Sequence, residues 1–498
     1  MSRILTPGRN SWRVSKVDAA GALVDAQDYY RAFYRAAEQA EHYLLIAGWQ
    51  FESSVPLLRG ADAERLEQPV TLLEFLRWLC ERKPELRIYI LAWDYSLVFA
   101  LEREWMQKIR FDWMTCDRIQ FKFDAEHAMG GSHHQKFVVV DGAIGFVGGV
   151  DLCEGRWDDR SHTLDNPLRL NRDASPQKPY HDVMAYCAGP VVRDLEQLFS
   201  ERWQRATGDK LELPQTNPSP LEPPTAALPI CCREVALSRT FAGETGSGSN
   251  IEEIKTLYQD AIRSAQRSIY IETQYLTSRV VHDALVDRMR ERPGLEIVAV
   301  MNKGGDTPKE TFVLGRAQDF VLASLSETAR ATGNLFRVYY SAQVSPEHGE
   351  LPTFIHSKVL IIDDRLLSIG SANCTNRSLH VDSELNFVWE CAAERDELVT
   401  SVRRFRASLL AEHAGVDRVT ELESSENLVL ILDELARNAD SRLRHRPIPE
   451  SVDAVELRRL RARTFDPDRP LDEYALSDWV AADPDEAAGQ PSPSSPSH

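Results

Sequence analysis

Apolar residues along this chain switch repeatedly between two spacings. Tyr30, Phe33, Tyr34 and Ala37 recur at three and four residues and predict a helix over 29–40. Tyr43-Leu44-Leu45-Ile46-Ala47-Gly48-Trp49 is a short continuous apolar run, which suits a buried strand. The same alternation continues with a helix over 71–82, a strand over 86–93, a strand over 118–123 and a helix over 190–204. Pro84 marks the stop of the second helix. Residues 208–229 then interrupt the pattern with Pro214, Pro218, Pro220, Pro223, Pro224 and Pro229, which regular elements do not accommodate. Beyond them the pattern restarts: helix 251–265, strand 268–275, helix 280–291, strand 295–301, helix 312–332, strand 335–340.

The restart is a repeat. Ala40-Glu41-His42-Tyr43-Leu44-Leu45-Ile46 answers Ala265-Gln266-Arg267-Ser268-Ile269-Tyr270-Ile271. Short buried strands alternating with helices imply an α/β layer fold in each half. The expected division is an arm over 1–27, a first domain over 28–207, a linker over 208–230 and a second domain over 231–415. C-terminal helices follow over 416–465, among them 427–443 and 455–463, and then a tail over 466–498. The end of that tail, 481–498, is rich in Pro, Ser, Ala and acidic residues and reads as disordered.

One stretch of reactive residues occurs in both halves. His134-Gln135-Lys136 precedes four apolar residues and Asp141; His356-Ser357-Lys358 precedes four apolar residues and Asp363. Gly148-Gly149-Val150-Asp151 and Gly370-Ser371-Ala372-Asn373 begin 14 residues after the respective histidines. On an extended chain, residues two apart share a face, so each His and Lys point the same way. Two imidazoles and two ammonium groups suit a phosphate: the lysines hold nonbridging oxygens, one His attacks phosphorus and the other protonates the leaving oxygen. Asp151 and Asn373 are placed to cap a following helix, whose N-terminus would add anion donors. An attacking His needs an acceptor on its other ring nitrogen. Asp141 and Asp363 lie at the far ends of their strands, so Asp182 and Glu384 are better candidates. Asp182 is expected near His134 and Glu384 near His356. No carboxylate cluster with metal-ligand spacing accompanies these residues, so neither metal nor cofactor is expected in the chemistry.

Charge and composition narrow the substrate. The chain of 498 residues is 43% hydrophobic and 27% charged, with a net charge of −18. An acidic surface disfavours nucleic acid, whose binding rests on phosphate neutralisation. No apolar run is long enough to span a bilayer and the N-terminus lacks a signal-like core. The eight cysteines show no zinc spacing and read as buried thiols of a reducing compartment. The expectation is a cytoplasmic protein in peripheral contact with membranes, with export by a route lacking a cleavable signal left open. The basic run Arg442 to Arg446 reads as a solvated face.

The paired His-x-Lys-x-x-x-x-Asp stretches resemble the defining mark of the phospholipase D superfamily. The resemblance extends to Gly155-Arg156-Trp157-Asp158, Pro179-Tyr180-His181-Asp182-Val183, Ile271-Glu272-Thr273-Gln274-Tyr275 and Asn376-Arg377-Ser378, and covers roughly 28–395. It is closest to the phospholipid-cleaving branch. It implies two similar α/β/α sandwich domains related by a pseudo-twofold axis, with the active site at their interface. By that likeness His134 is the nucleophile and His356 the general acid, and the catalytic set is completed by Lys136, Lys358, Asp182 and Glu384 together with the motif members Asp141 and Asp363. Gly149, Asp151, Ser371, Asn373, Trp157 and Gln274 are then the expected substrate contacts, with specificity in the loops 154–179 and 304–315. The substrate implied is a glycerophospholipid, cleaved to phosphatidic acid and an alcohol. A phosphatidyltransferase, a nuclease and a non-catalytic lipid-binding scaffold are the competing readings.

Overall fold

The computed structural model describes residues 3–94, 116–214, 221–243, 250–304, 308–346, 349–391, 396–423, 427–449 and 466–470. The expected helix over 455–463 and the tail over 481–498 lie outside them. The first half runs β1 (Arg13–Lys16), β2 (Ala19–Val24), α1 (Asp25–Gln39), β3 (Tyr43–Gly48), α2 (Ala61–Glu64), α3 (Leu72–Arg82), β4 (Arg87–Trp93), β5 (Ile119–Asp124), β6 (Phe137–Val140), β7 (Ile144–Gly148), β8 (Tyr180–His181), β9 (Val183–Ala188) and α4 (Val192–Thr207). The second runs β10 (Leu228–Pro229), β11 (Glu234–Phe241), β12 (Ile251–Glu252), α5 (Glu253–Ser264), β13 (Ser268–Glu272), α6 (Arg279–Glu291), β14 (Glu296–Val300), α7 (Pro308–Thr332), β15 (Leu335–Ser345), β16 (Gly349–Pro352), β17 (Phe354–Ile355), β18 (Val359–Ile362), β19 (Leu366–Gly370), α8 (Asn376–His380), β20 (Glu384–Glu390), α9 (Glu397–Ala414), α10 (Val419–Leu422), α11 (Leu428–Arg437) and β21 (Leu443–His445).

The repeat in the sequence is a repeat of topology. One sheet contains the order β2-β9-β7-β6-β3-β4-β5, and the other contains β11-β20-β19-β18-β13-β14-β15. In each, the strand carrying the early apolar run pairs in parallel with its successor and antiparallel with the strand after His-x-Lys. Alternation then sends side chains to opposite faces. Leu44, Ile46, Val138 and Val140 pack outward under α1 and α3. Leu45, Ala47, Phe137 and Val139 face inward, joining Ile361, Ile369 and Phe387 of the other half, Leu195 and Phe199 of α4, and Phe405 and Leu409 of α9. The second sheet's outer face is covered by α5, α6 and α7 through residues such as Leu257, Leu285 and Leu322. The order is helices, sheet, a middle layer with α4 and α9, sheet, helices.

Three expectations are corrected. First, the arm and the Pro-rich stretch are not merely connections: each contributes an edge strand to the sheet of the other half. β1 pairs antiparallel with β11, and β10 pairs antiparallel with β2. β2 itself is interior to the first sheet, and α1 begins at Asp25 rather than near Tyr29. Second, the expected helix over 427–443 ends at Arg437, and the chain returns as β21 against β15. The basic run is therefore only partly a solvated face: His445 is exposed, but Arg446 is buried and donates from Nε to the Asn302 carbonyl at 3.0 Å. Third, His134, Lys136, His356 and Lys358 precede β6 and β18 instead of lying in them.

Candidate active site

The segments entering β6 and β18 have backbone groups that no strand of their own sheet satisfies, and each finds its partner in the opposite half. The His134 amide donates to the Ser383 carbonyl at 2.9 Å, and the Ser383 amide donates to the Ser132 carbonyl at 2.8 Å. On the other side β17 pairs in parallel with β8, and the His356 amide donates to the His181 carbonyl at 2.8 Å. Each reactive histidine is thus docked beside the residue that precedes the other half's acid.

That docking crosses the partners. His134 Nδ1 lies 3.1 and 3.0 Å from the two carboxylate oxygens of Glu384, and His356 Nδ1 lies 2.6 Å from Asp182 Oδ2. The expected pairing, Asp182 by His134 and Glu384 by His356, is corrected, because each histidine takes its acid from the opposite half. Burial and the lysines Lys136 and Lys358 push the His134 imidazole well below its ordinary range. Burial, Lys358 and Arg156 do the same to His356. Burial lifts Asp182 to about 7 against the pull of Lys358, and burial with Asp382 lifts Glu384 to about 8. In each pair Nδ1 faces the acid, which leaves Nε2 as the nitrogen that can react.

The lysines are almost fully enclosed. Lys136 Nζ donates to the His134 carbonyl at 3.1 Å and pairs with Asp151 Oδ2 at 3.2 Å. Lys358 Nζ donates to the His356 carbonyl. Burial lowers the Lys358 ammonium to about 7, with Asp182 resisting and Lys136 assisting. Asp151 is committed to Lys136 and to the Trp49 amide at 2.9 Å. Its counterpart Asn373 has a buried Oδ1 without a hydrogen bond. Neither caps a helix as expected: no helix follows Asp151 closely, and α8 is capped by Thr375, which accepts from the Ser378 amide.

The position after each first glycine separates the two acids. A Cβ on Gly149 would lie 2.1 Å from Asp182 Oδ1. In the other half Ser371 occupies that place, and its Oγ donates to Glu384 Oε2 at 2.5 Å and accepts from the Leu385 amide at 3.0 Å.

Other expected residues sit elsewhere. Asp141 accepts from the amides of Glu41, His42 and Tyr43 at 2.6, 3.0 and 2.6 Å. Asp363 accepts from those of Gln266, Arg267 and Ser268 at 2.7, 2.7 and 2.9 Å. Both close the turn entering β3 or β13, away from the histidines. Trp157 is buried in the first core under Arg59, and so does not line the site mouth. Gln274 is half-buried just after β13. The residue missed is the sequence neighbour of Trp157, Arg156. Its guanidinium stands 5.3 Å over the Tyr180 ring, whose centroid is 5.5 Å from that of His356. Its Nε is buried without a hydrogen bond.

The site therefore offers two imidazoles, two ammonium groups and a guanidinium around one interface, and comparison with other proteins reaches the same place. A family model described as phospholipase D matches residues 36–221, and one described as cardiolipin synthase, PLD-like domain, matches residues 258–406. Phospholipase D A of Dictyostelium discoideum is 25% identical over 471 residues, covering 79% of this chain and 35% of that protein. Phospholipase D alpha 4 of Arabidopsis thaliana is 24% identical over 506 residues, covering 81% and 65%. Phospholipase D2 of Bos taurus is 24% identical over 495 residues, covering 78% and 51%. The chain thus spans only 35 to 65% of the length of these relatives. The crystal structure of phosphatidylserine synthase from Haemophilus influenzae shares the fold, with a TM-score of 0.51 at 14% identity over 85% of this chain and 94% of that one. With a matching family model on each half and the paired His-x-Lys residues meeting between them, the chain belongs to the phospholipase D superfamily.

Proposed function

We propose that the chain is a phospholipase D-type phosphodiesterase, cleaving the distal phosphodiester of glycerophospholipids to phosphatidic acid and a free headgroup alcohol. The observation that carries this is the crossed arrangement of His134 with Glu384 and His356 with Asp182 around Lys136 and Lys358. His134 Nε2 attacks phosphorus, and the P–O bond to the headgroup breaks as His356 protonates the departing oxygen. A covalent phosphohistidine remains. His356 Nε2, having given up its proton, takes one from water; the water oxygen bonds to phosphorus, and the P–N bond returns its electrons to His134. Lys136, Lys358 and Arg156 neutralise the nonbridging oxygens as charge builds in each transition state. A primary alcohol in place of water gives transphosphatidylation. The matches to phospholipases D support the lipid substrate, which the chain would meet by peripheral contact at a lipid surface. Among the described residues no helix is long and apolar enough to cross a membrane.

The match of the second half to the cardiolipin synthase-type model favours one alternative, transfer of a phosphatidyl group to an alcohol acceptor. A panel of phospholipids in mixed micelles, with and without glycerol, with products identified by mass, separates the two. Headgroup release with phosphatidic acid is expected, and His134→Ala and His356→Ala should each lower it about 10³-fold or more. Full activity in both variants would overturn the assignment; products confined to phosphatidyl-glycerol adducts would favour the transferase.

A further inference from the structure

His181 adjoins Asp182, and on an extended chain adjacent side chains point to opposite sides. While Asp182 meets His356, His181 enters a separate group of buried residues. Its Nδ1 lies 2.7 Å from Glu412 Oε1 and 3.1 Å from Asp25 Oδ1. His162 Nε2 lies 3.1 Å from the same Glu412 oxygen and 3.5 Å from Asp25 Oδ2. One atom from each of the four residues, two nitrogens and two oxygens, can be chosen so that all lie within 4.8 Å of one another. Four ligands at zinc–nitrogen and zinc–oxygen bond lengths stand about 3.3 Å apart at the corners of a tetrahedron. The contacts in this group fall on either side of that spacing.

The surroundings match a metal centre more closely than a chance ion cluster. Each imidazole has its second nitrogen held by a carboxylate outside the group, which is how metal-bound histidines are oriented. His162 Nδ1 lies 2.9 Å from Asp158 Oδ2, and Asp158 is clamped by Arg169. His181 Nε2 lies 3.1 Å from Glu272 Oε2, and Glu272 is held in turn by His413 and Tyr270. Arg160 fixes the free oxygen of Glu412. One oxygen of the inner four residues, Asp25 Oδ2, is buried without a hydrogen bond. Asp25 also adopts a φ of 65°, a left-handed conformation that a non-glycine residue holds only when its surroundings enforce it.

We propose that Asp25, His162, His181 and Glu412 form a structural site for a zinc-class divalent cation, distinct from the phosphate site. Mixed nitrogen and oxygen donors in a closed, four-fold shell suit zinc; calcium and magnesium require more oxygens. Asp25, His162 and His181 belong to the first half and Glu412 to α9 of the second, so the ion would pin the halves together directly behind Asp182. The ligands are scattered over the sequence, which is why no ligand spacing announces them. The inference does not rest on the phospholipase reading, because metal content is measured without substrate.

The test uses the full chain, expressed without a histidine tag in zinc-supplemented medium and purified without chelator. Elemental analysis should find about one zinc per chain. His162→Gln should lose it and melt at a lower temperature, while His134→Ala should keep it. Cobalt added to chelator-treated, folded protein should give the intense visible bands of a tetrahedral site. Should His162→Gln fail to fold, X-ray absorption on the wild type decides: two imidazole ligands support the site, and none overturns it. A folded wild type holding less than a tenth of an equivalent of metal and giving no cobalt bands would make the group a metal-free ion cluster and end the proposal.

Discussion

Lys136 and Lys358 are sequence equivalents in different electrostatic positions. Lys136 has Asp151 at 3.2 Å, whereas the corresponding residue beyond Lys358 is the uncharged Asn373. Burial brings Lys358 to about 7, so in the empty site its charge is present below that pH and lost above it. The pH dependence of kcat/KM reports groups of the free enzyme. It should therefore decline as pH rises beyond about 7. Lys358→Arg, which cannot lose its proton, should make that limb shallower even if its rate is lower, leaving the part that Asp182 and Glu384 contribute as they ionise. A flat kcat/KM through this range in the wild type would count against Lys358 as a phosphate ligand. Gly149 yields a second prediction at this scale. Alanine there would drive a methyl into Asp182 and turn the carboxylate from His356, lowering kcat about 10²-fold in a protein that still folds. Ser371→Ala removes the hydroxyl that donates to Glu384 and accepts from the Leu385 amide, and should cost about tenfold. Circular dichroism beside headgroup release separates either effect from unfolding.

At the scale of elements, the conspicuous aspartates of the two signatures act on strand entry. Asp141 and Asp363 have φ of 49° and 54°, and each gathers three backbone amides at the start of a central strand. Asp141→Ala leaves those amides without their acceptor and places alanine in a left-handed conformation. The expected loss is about 2–4 kcal/mol of stability. Asn, which tolerates that conformation, should lose less. The urea midpoint should fall while kcat of the folded fraction stays within about threefold. Collapse of kcat at unchanged midpoint would return Asp141 to the chemistry. The same aspartates mark where the sequence was legible. Periodicity located β3, β6, β13 and β18, and strand length alone separated Asp141 from His134. Pairing across the interface was not legible: it depends on hydrogen bonds from His134 to Ser383 and from His356 to His181, which join residues far apart in the chain. Nor does periodicity say which of two neighbours faces the core, and so Trp157 was expected where Arg156 stands.

For the whole molecule the exchange of edge strands matters most. A Pro-rich stretch between two repeats reads as a linker, and chains of two such domains commonly unfold in steps. Here β1 completes the second sheet from the start of the chain, and β10 completes the first from the end of the Pro-rich stretch. Leu5 is buried in the second half's outer core, and the amides of Ile4 and Leu5 donate to Glu390 at 2.6 and 2.9 Å. Trp203 of the first half and Trp389 of the second share one core between the sheets. The halves should therefore unfold together. Tryptophan fluorescence and far-ultraviolet circular dichroism should trace one coincident urea transition, with the large slope expected when a chain of this size exposes its core at once. Removing residues 1–17 takes an edge from the second sheet although the deletion belongs to the first half. The truncated chain should show a single transition at lower urea, since loss of the second half's packing strips the inner faces of Leu45, Val139 and Phe137 as well. A plateau with one half still folded, in either protein, would mean that the shared core and exchanged strands do not couple the halves, and that the crossed His–acid pairs alone hold the site together.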